Sequence, residues 1–412
     1  YAVVPGIVKI GTPTTITLSA LEPQHVFDDT VEYRVEIWDL VHQTHGDFKP
    51  SENIFNLMPH NGCLRVTYTF ITEAEHFVRV FEKDRNKHFL QLSVYALAED
   101  LYALRPLKGD FHVHSCRSDG KEYPALVAAN YREAGFDFMA VTDHRLYEPS
   151  VEAQQAYADV NLGLCLLNGE EVHTPDNLVH VIHFGGDSSV NEMYRADEDK
   201  YYNEVQAIID RGGIPHEDKF TYAANLWAIE KIRAVNGLAV FCHPHWINDT
   251  YNVPDSLSRA FLKNRAFDAF ELIGGQSAHE NNMQTALYYQ LRAEGVEIPI
   301  TGASDSHGTI NRPLFDKMFT VVFAAENTRD AILAAVKDCR SVAVEVYEDS
   351  VNYSVHGSYR FVSYARFLLE HYFPLTRRLC AEEGLLMRAH INGDKTAMQR
   401  LNSLKDRVDR FY

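Results

Sequence analysis

Long apolar runs are missing from this chain, and no stretch approaches the roughly 20 residues that a bilayer-spanning helix needs. Cysteine is scarce as well: six in 412 residues (Cys63, Cys116, Cys165, Cys242, Cys339, Cys380), scattered and without a C-x-x-C pair. That spacing speaks against a disulfide framework and reads as reduced thiols in a reducing compartment. The opening residues, Tyr1-Ala2-Val3-Val4-Pro5, carry no charged segment leading into an apolar signal core. The expected location is therefore cytoplasmic, with no membrane partner. Positive charge is in deficit too, 39 Lys plus Arg against 57 Asp plus Glu, a formal charge of −18. A protein that grips nucleic acid by neutralising its backbone needs the opposite balance, so no extended nucleic-acid surface is expected. Oligomeric state is not legible.

What is present is the composition of a globular protein, 46% hydrophobic and 23% charged, at a length that divides into about two or three units. From residue 1 to 104 the apolar pattern has period two, as in Val31-Glu-Tyr-Arg-Val-Glu-Ile37 and Arg65-Val-Thr-Tyr-Thr-Phe70. Turn-forming residues separate these runs at Thr12–Thr15, Asn61-Gly62 and Lys83–Asn86. The expectation is an antiparallel β-sandwich without a catalytic constellation.

Beyond Leu104 short apolar strands alternate with amphipathic helices, the pattern of an α/β barrel built on a parallel sheet, here assigned to residues 105–345. Strands are expected at Asp110–Val113, Phe138–Val141, Leu164–Leu167, Leu178–Phe184, Leu238–Phe241, Ala269–Ile273, Pro299–Gly302 and Phe319–Phe323. Helices are expected at Pro124–Ala134, Ala223–Val235, Met283–Ala293 and Thr328–Cys339, the last with Asn327 and Asp330 as a capping pair. Residues 187–220, rich in charge and aromatics, read as an insertion, either a lid or a surface elaboration. Residues 346–412 read as a helical C-terminal extension packed on the barrel.

Chemistry-bearing residues concentrate just past the expected strand ends, where a parallel barrel gathers its loops. His112 and His114 stand two apart on an expected strand and so share a face. Alone this is weak, since 20 His in this length produce about one His-x-His by chance. The recurrence is what counts: Asp143-His144, Glu170-Glu171, His243-Pro-His245 and Ser304-Asp305-Ser-His307 follow later strands, and His180 and His183 lie on a fourth. Imidazole and carboxylate together suit zinc, iron or manganese, and there are more donors than one tetrahedral ion can use. Two or three divalent ions are expected.

The run His112-Val-His114-Ser-x-x-Ser-Asp119-Gly, followed by Val141-Thr-Asp-His144, Glu171, His243-Pro244 and Asp305-Ser-His307, resembles the PHP (polymerase and histidinol phosphatase) family over residues 107–323. The resemblance implies a distorted (βα)7 barrel with a trinuclear centre and, most often, phosphoesterase chemistry. It implies that His112, His114 and Asp305 hold one ion, bridged by Glu171 to a neighbour. Asp119, His144 and His307 would hold a second, and His243 with His180 a third. His180 matches the family's apolar-His-apolar-apolar strand, and His183 points to the opposite face. Glu170 would then face outward, His245 and Glu271 lie near the site, and Asp110 and Asp143 orient imidazoles.

The expected function is a metal-dependent hydrolase that activates water without a side-chain nucleophile, acting on a small phosphorylated ester held by Arg117, Arg145 or His245. The sandwich and tail also resemble a carbamate-hydrolase-like branch, so hydrolysis of a carboxylic ester, carbamate or amide on the same centre is the alternative. A catalytically silent binding module is the third reading.

Overall fold

A computed structural model of the chain describes residues 1–42, 53–82, 87–310, 313–347, 352–404 and 407. The expected turn at Lys83–Asn86 lies outside them. The chain clusters into two compact units, Tyr1–Leu104 with Ser363–Tyr372, and Arg105–Val362 with the tail from Phe373 on. No helix among the described residues is long and apolar enough to cross a membrane.

The first unit comprises β1 (Ala2–Val4), β2 (Ile7–Lys9), β3 (Pro13–Ser19), β4 (Tyr33–Asp39), β5 (Ile54–Leu57), β6 (Cys63–Thr69), β7 (Ala74–Glu82), β8 (Leu90–Leu97) and the short α1 (Glu99–Tyr102). They form two sheets, β1-β3-β6 and β2-β8-β7-β4-β5, antiparallel except where β2 runs parallel to β8. Alternation does the sorting: Leu64 and Val66 of β6 are buried while Arg65 and Thr67 are exposed. Inward residues of both sheets, among them Ile16, Leu18, Val35, Ile37, Val78 and Val94, form a single apolar cluster. The separator expected at Thr12–Thr15 is instead the start of β3, where Pro13 is tolerated because it is the strand's first residue.

The second unit begins with β9 (Arg105–Asp110), α2 (Pro124–Glu133), β10 (Phe138–Ala140), α3 (Glu148–Gln155), β11 (Cys165–Leu167), β12 (Gly169–Val172) and β13 (Val181–Phe184). There follow α4 (Asn191–Ala196), α5 (Glu198–Arg211), α6 (Lys219–Ala234), β14 (Leu238–Phe241), the hairpin β15 (Ile247–Asn248) and β16 (Thr250–Tyr251), and α7 (Asp255–Lys263). Next come β17 (Ala269–Ile273), α8 (Ala278–Ala293), β18 (Ile300–Gly302), β19 (Met318–Ala324), α9 (Arg329–Lys337), β20 (Ser341–Val346) and β21 (Tyr353–His356). The tail is helical: α10 (Tyr359–His371), mostly in the first unit, then α11 (Phe373–Ile391) and α12 (Lys395–Leu404).

The strands lie in two sheets, β11-β10-β9-β19-β20-β21 and β12-β13-β14-β17-β18. The expected all-parallel sheet is corrected on two counts. β13 runs antiparallel to both β12 and β14, because residues 173–180 are too few for a crossover connection. β19 runs antiparallel to β9 and β20. The first strand also sits earlier than expected, at Arg105–Asp110, so His112 and His114 follow it rather than lie on it. Pro106, Lys108 and Gly109 have poor strand propensity, and pairing with β10 and β19 overrides it. Isolated bridges then tie the strand ends together, Val113 to Ser306 and His144 to Glu171.

Residues 187–220 form α4, α5 and the first turn of α6, whose capping residue Asp218 accepts from Thr221 N at 3.0 Å. Tyr201, Val205 and Ile208 join Trp227 in the main apolar cluster, with the Tyr201 and Trp227 rings 4.9 Å apart, so this segment is built into the core. The capping pair expected before α9 is absent: Thr328 takes the N-cap position, and the Asn327 amide donates to the carbonyls of Asp137 and Gly163.

Candidate metal centre

The loops after β9, β10, β14 and β18 converge with β12 on one buried carboxylate, Glu171. Six imidazoles surround it: His180 Nδ1 at 2.7 Å, His173 and His243 at 3.4 Å, His112 and His114 at 3.5 Å, and His144 in contact. Asp305 Oδ1 lies 3.3 Å from His112 Nε2 and 3.1 Å from His114 Nε2. Asp119 Oδ2 faces His144 at 3.6 Å and His307 at 3.2 Å. Two contributors hold positive φ, His243 at 29° and Asp305 at 48°. Such a conformation costs about 1–3 kcal/mol per residue and persists where it aims a functional side chain.

The electrostatics calls for a cation. The His112 ring, with Nδ1–H donating to Glu271 at 3.0 Å, presents the lone pair of Nε2 to Glu171, Asp305 and the His114 Nε2 at 3.0 Å. Acceptors thus face acceptors. Both oxygens of Glu171, Oδ1 of Asp305 and ring nitrogens of His114, His180 and His243 are buried without a hydrogen bond, a state that costs free energy unless a ligand completes it. Five overlapping groups of donors lie within metal-binding reach, including His114-Asp119-His144-His307, His112-His114-Glu171 and Glu171-His180-His243.

Burial pushes His180 down to about 4, helped by His173 and His243 and opposed by Glu171, and it lowers His114 as well. Both are neutral donors near pH 7. For His112, burial lowers the pKa but is outweighed by Asp305 and Glu271, which raise it; the neutral ring with Nε2 free is the form that a cation between Glu171 and Asp305 would select. Glu171 and Asp305 are held well below the usual carboxylate range, burial being overcome by the histidines around them. Cys242 stands beside His112 and His243, but burial keeps its thiol protonated and it bonds the His180 carbonyl at 3.3 Å.

All nine residues named from sequence, His112, His114, Asp119, His144, Glu171, His180, His243, Asp305 and His307, are brought together. His183 is not: its Nδ1 bonds Glu170 at 3.0 Å, and its ring occupies a slot where a Cβ on Gly186 would lie 1.9 Å and on Gly237 2.6 Å from Nε2. Glu170 also accepts from Ser189, Val190 N and Asn191, bracing the segment before α4.

Asp110 and Asp143 do not orient imidazoles. Asp110 accepts from backbone N–H groups of His112 and Ser304 and from the Tyr131 hydroxyl, and Asp143 accepts from Ser115 and Ser118. Glu271 takes that role. Sequence reasoning missed His173, although Glu171-Val-His173 places it two residues along an extended segment, on the same face.

The three polar candidates separate. Arg117 makes two 2.8 Å bonds to Glu152. His245 is buried with Nε2 3.7 Å from Asp255 and its ring edge-on to Tyr251. Arg145 is exposed, follows His144, donates its backbone N–H to the Glu171 carbonyl at 2.9 Å, and forms no ion pair among the described residues.

No known family profile matches the chain, and no curated protein does. Solved structures do. One is a two-domain protein of Bacteroides vulgatus containing a predicted PHP-like metal-dependent phosphoesterase, 19% identical, matched over 58% of this chain and 65% of its own length, TM-score 0.42. Another, from Bifidobacterium adolescentis, is assigned as a metal-dependent phosphoesterase, 19% identical over 50% of this chain and 89% of that one, TM-score 0.36. A third is an amidohydrolase of Chromobacterium violaceum with bound sulfate, 17% identical over 48% and 87%, TM-score 0.32.

Proposed function

We propose that the second unit is a metal-dependent hydrolase of the PHP type that cleaves small-molecule phosphate esters. The observation that carries this reading is Glu171: a buried carboxylate whose two oxygens meet six imidazoles at close range without a well-directed hydrogen bond. Its neighbours form three donor sets. His112, His114 and Asp305 suit one divalent ion, His144, Asp119 and His307 a second, and His180 with His243 a third, Glu171 being shared; zinc, manganese and iron all fit such donors. Divalent ions held there would supply Lewis acidity and make water acidic enough to attack near neutral pH.

The chain's own residues do the rest. Glu271 accepts the Nδ1 proton of His112 and so fixes the tautomer that leaves Nε2 free to coordinate. Arg145, exposed, next to His144 and without an ion pair among the described residues, is the residue this reading assigns to a phosphoryl oxygen. Arg117 is committed to Glu152. On this reading the two sheets of the second unit are parts of a distorted seven-stranded barrel spanning residues 105–345 and the first unit is built on a β-sandwich; the extension expected to be helical over 346–412 is corrected, since β21 (Tyr353–His356) pairs with β20 before α10, α11 and α12.

The test is a side-by-side assay of the purified chain, after chelation and reloading with zinc, manganese or iron(II), on an aryl phosphate and an aryl acetate or carbamate. Metal-dependent turnover of the phosphate is expected. Turnover of the carbonyl esters alone replaces the phosphoester assignment. Activity that survives replacement of both His112 and His114 by Ala sinks the metal-centred mechanism, and the absence of any turnover with full metal content supports a binding module.

A further inference from the structure

The chain has three tryptophans, and two have their indole N–H bound to a carboxylate: Trp38 Nε1 to Glu36 at 3.1 Å and Trp227 Nε1 to Glu204 at 2.6 Å. Trp246 differs. The residue is 39% exposed, its N–H has no partner among the described residues, and its ring lies beside the donor histidines. Its centroid is 6.0 Å from that of His243, edge-on at 75°, and 6.4 Å from that of His180, tilted at 42°.

The mount of this ring is stiff. Trp246 N donates to the His243 carbonyl at 3.1 Å, and Asn252 N donates to the Trp246 carbonyl at 2.7 Å. The β15–β16 hairpin follows at once, and its first residue, Ile247, donates N–H to Glu280 Oε1 at 2.8 Å. Glu280 is itself held in the capping box of α8. Ile247, 46% exposed, adds an apolar side chain next in sequence. An indole whose backbone is held on both sides, partly open to solvent and with its centroid 6.0 and 6.4 Å from those of two donor histidines, offers a flat apolar face to a planar group.

We propose that Trp246 is a substrate-binding residue that stacks the aromatic alcohol portion of a phosphate ester while the phosphate faces the histidines, so that aryl phosphates are the preferred substrate class. The inference rests on the phosphoesterase reading above. Its experiment uses the full metal-loaded chain as wild type and as Trp246→Ala, Trp246→Phe and Trp246→Leu, with phenyl and methyl phosphate in turnover and phenyl and methyl phosphonate in calorimetry. Metal content is measured for each variant.

With metal content equal to wild type, Trp246→Ala is expected to narrow the phenyl-over-methyl ratio about tenfold, in KM and in phosphonate binding alike, with Trp246→Phe restoring most of it. An unchanged ratio in Trp246→Ala overturns the proposal. So does full restoration by Trp246→Leu, which would make the contact aliphatic. If the wild type hydrolyses neither phosphate, the phosphoesterase reading fails; calorimetry still decides the platform, which falls if phenyl phosphonate binds no tighter than methyl phosphonate.

Discussion

Two clusters of buried charge in the second unit treat the same problem in opposite ways. Arg132 of α2 is buried, and its guanidinium is matched: Nε donates to Glu383 at 2.7 Å, Nη1 to the Phe136 carbonyl at 2.8 Å and to Asp137 at 3.2 Å. The acids are matched in turn, Glu383 by Gly163 N and Asp137 by Lys108 N at 3.0 Å. This pairing binds α11 to α2, and the helices meet so closely that a Cβ on Gly384 would lie 2.4 Å from Glu133 N. Around Glu171 six imidazoles crowd a carboxylate to which none is well directed as a hydrogen-bond donor. Charge balanced within the chain builds architecture; charge left unbalanced reserves room for something the chain does not supply.

The largest expected effect breaks the unbalanced cluster. Glu171→Gln should remove metal and lower kcat/KM by about two to three orders of magnitude, read by elemental analysis beside the assay. Arg132→Met should do the reverse. It leaves Glu383 and Asp137 buried without their partner, a loss of about 3–5 kcal/mol in urea unfolding, while metal content per folded molecule stays at the wild-type level.

Glu271→Gln sharpens the contrast, because among the described residues the Glu271 carboxylate hydrogen-bonds the centre at His112. Metal affinity, from competition with a chromophoric chelator, should weaken about 10- to 100-fold. The smallest effect concerns Glu170, the balanced neighbour of Glu171. Burial opposes its ionisation, but His183, Ser189 and Val190 N outweigh it and lower its pKa. A depressed carboxylate pKa stabilises the fold above the unfolded value and loses that contribution as pH falls through the folded one. Glu170→Gln should therefore be less stable than wild type by about 1–2 kcal/mol at pH 7, and the gap should close as pH drops below the ordinary carboxylate range.

Much of the centre was readable because histidines recur together with acidic residues just past several expected strand ends, and because their apolar neighbours, such as Val113 and Val141, mark where extended backbone runs. His112, His144, His243 and His307 could each be named from a short window of sequence. Other features could not. The antiparallel course of β13 depends on how β12 and β14 pair with it, and β9 forms from Pro106, Lys108 and Gly109 only because strands on both sides hold it. Glu271 became the partner of His112 across 159 residues, and Glu383 that of Arg132 across 251. No local pattern encodes such pairings.

Sequence alone determined which residue types were available, their positions near strand ends, and the acidic, thiol-poor character that goes with an imidazole and carboxylate site. Tertiary structure decided which of two adjacent glutamates is ringed by imidazoles, which of the two candidate arginines has no ion pair among the described residues, and which tryptophan faces the centre. The reason is that neutralisation of a buried charge depends on what lies within about 3–4 Å of it in space, and that distance is set by packing between segments far apart in the chain.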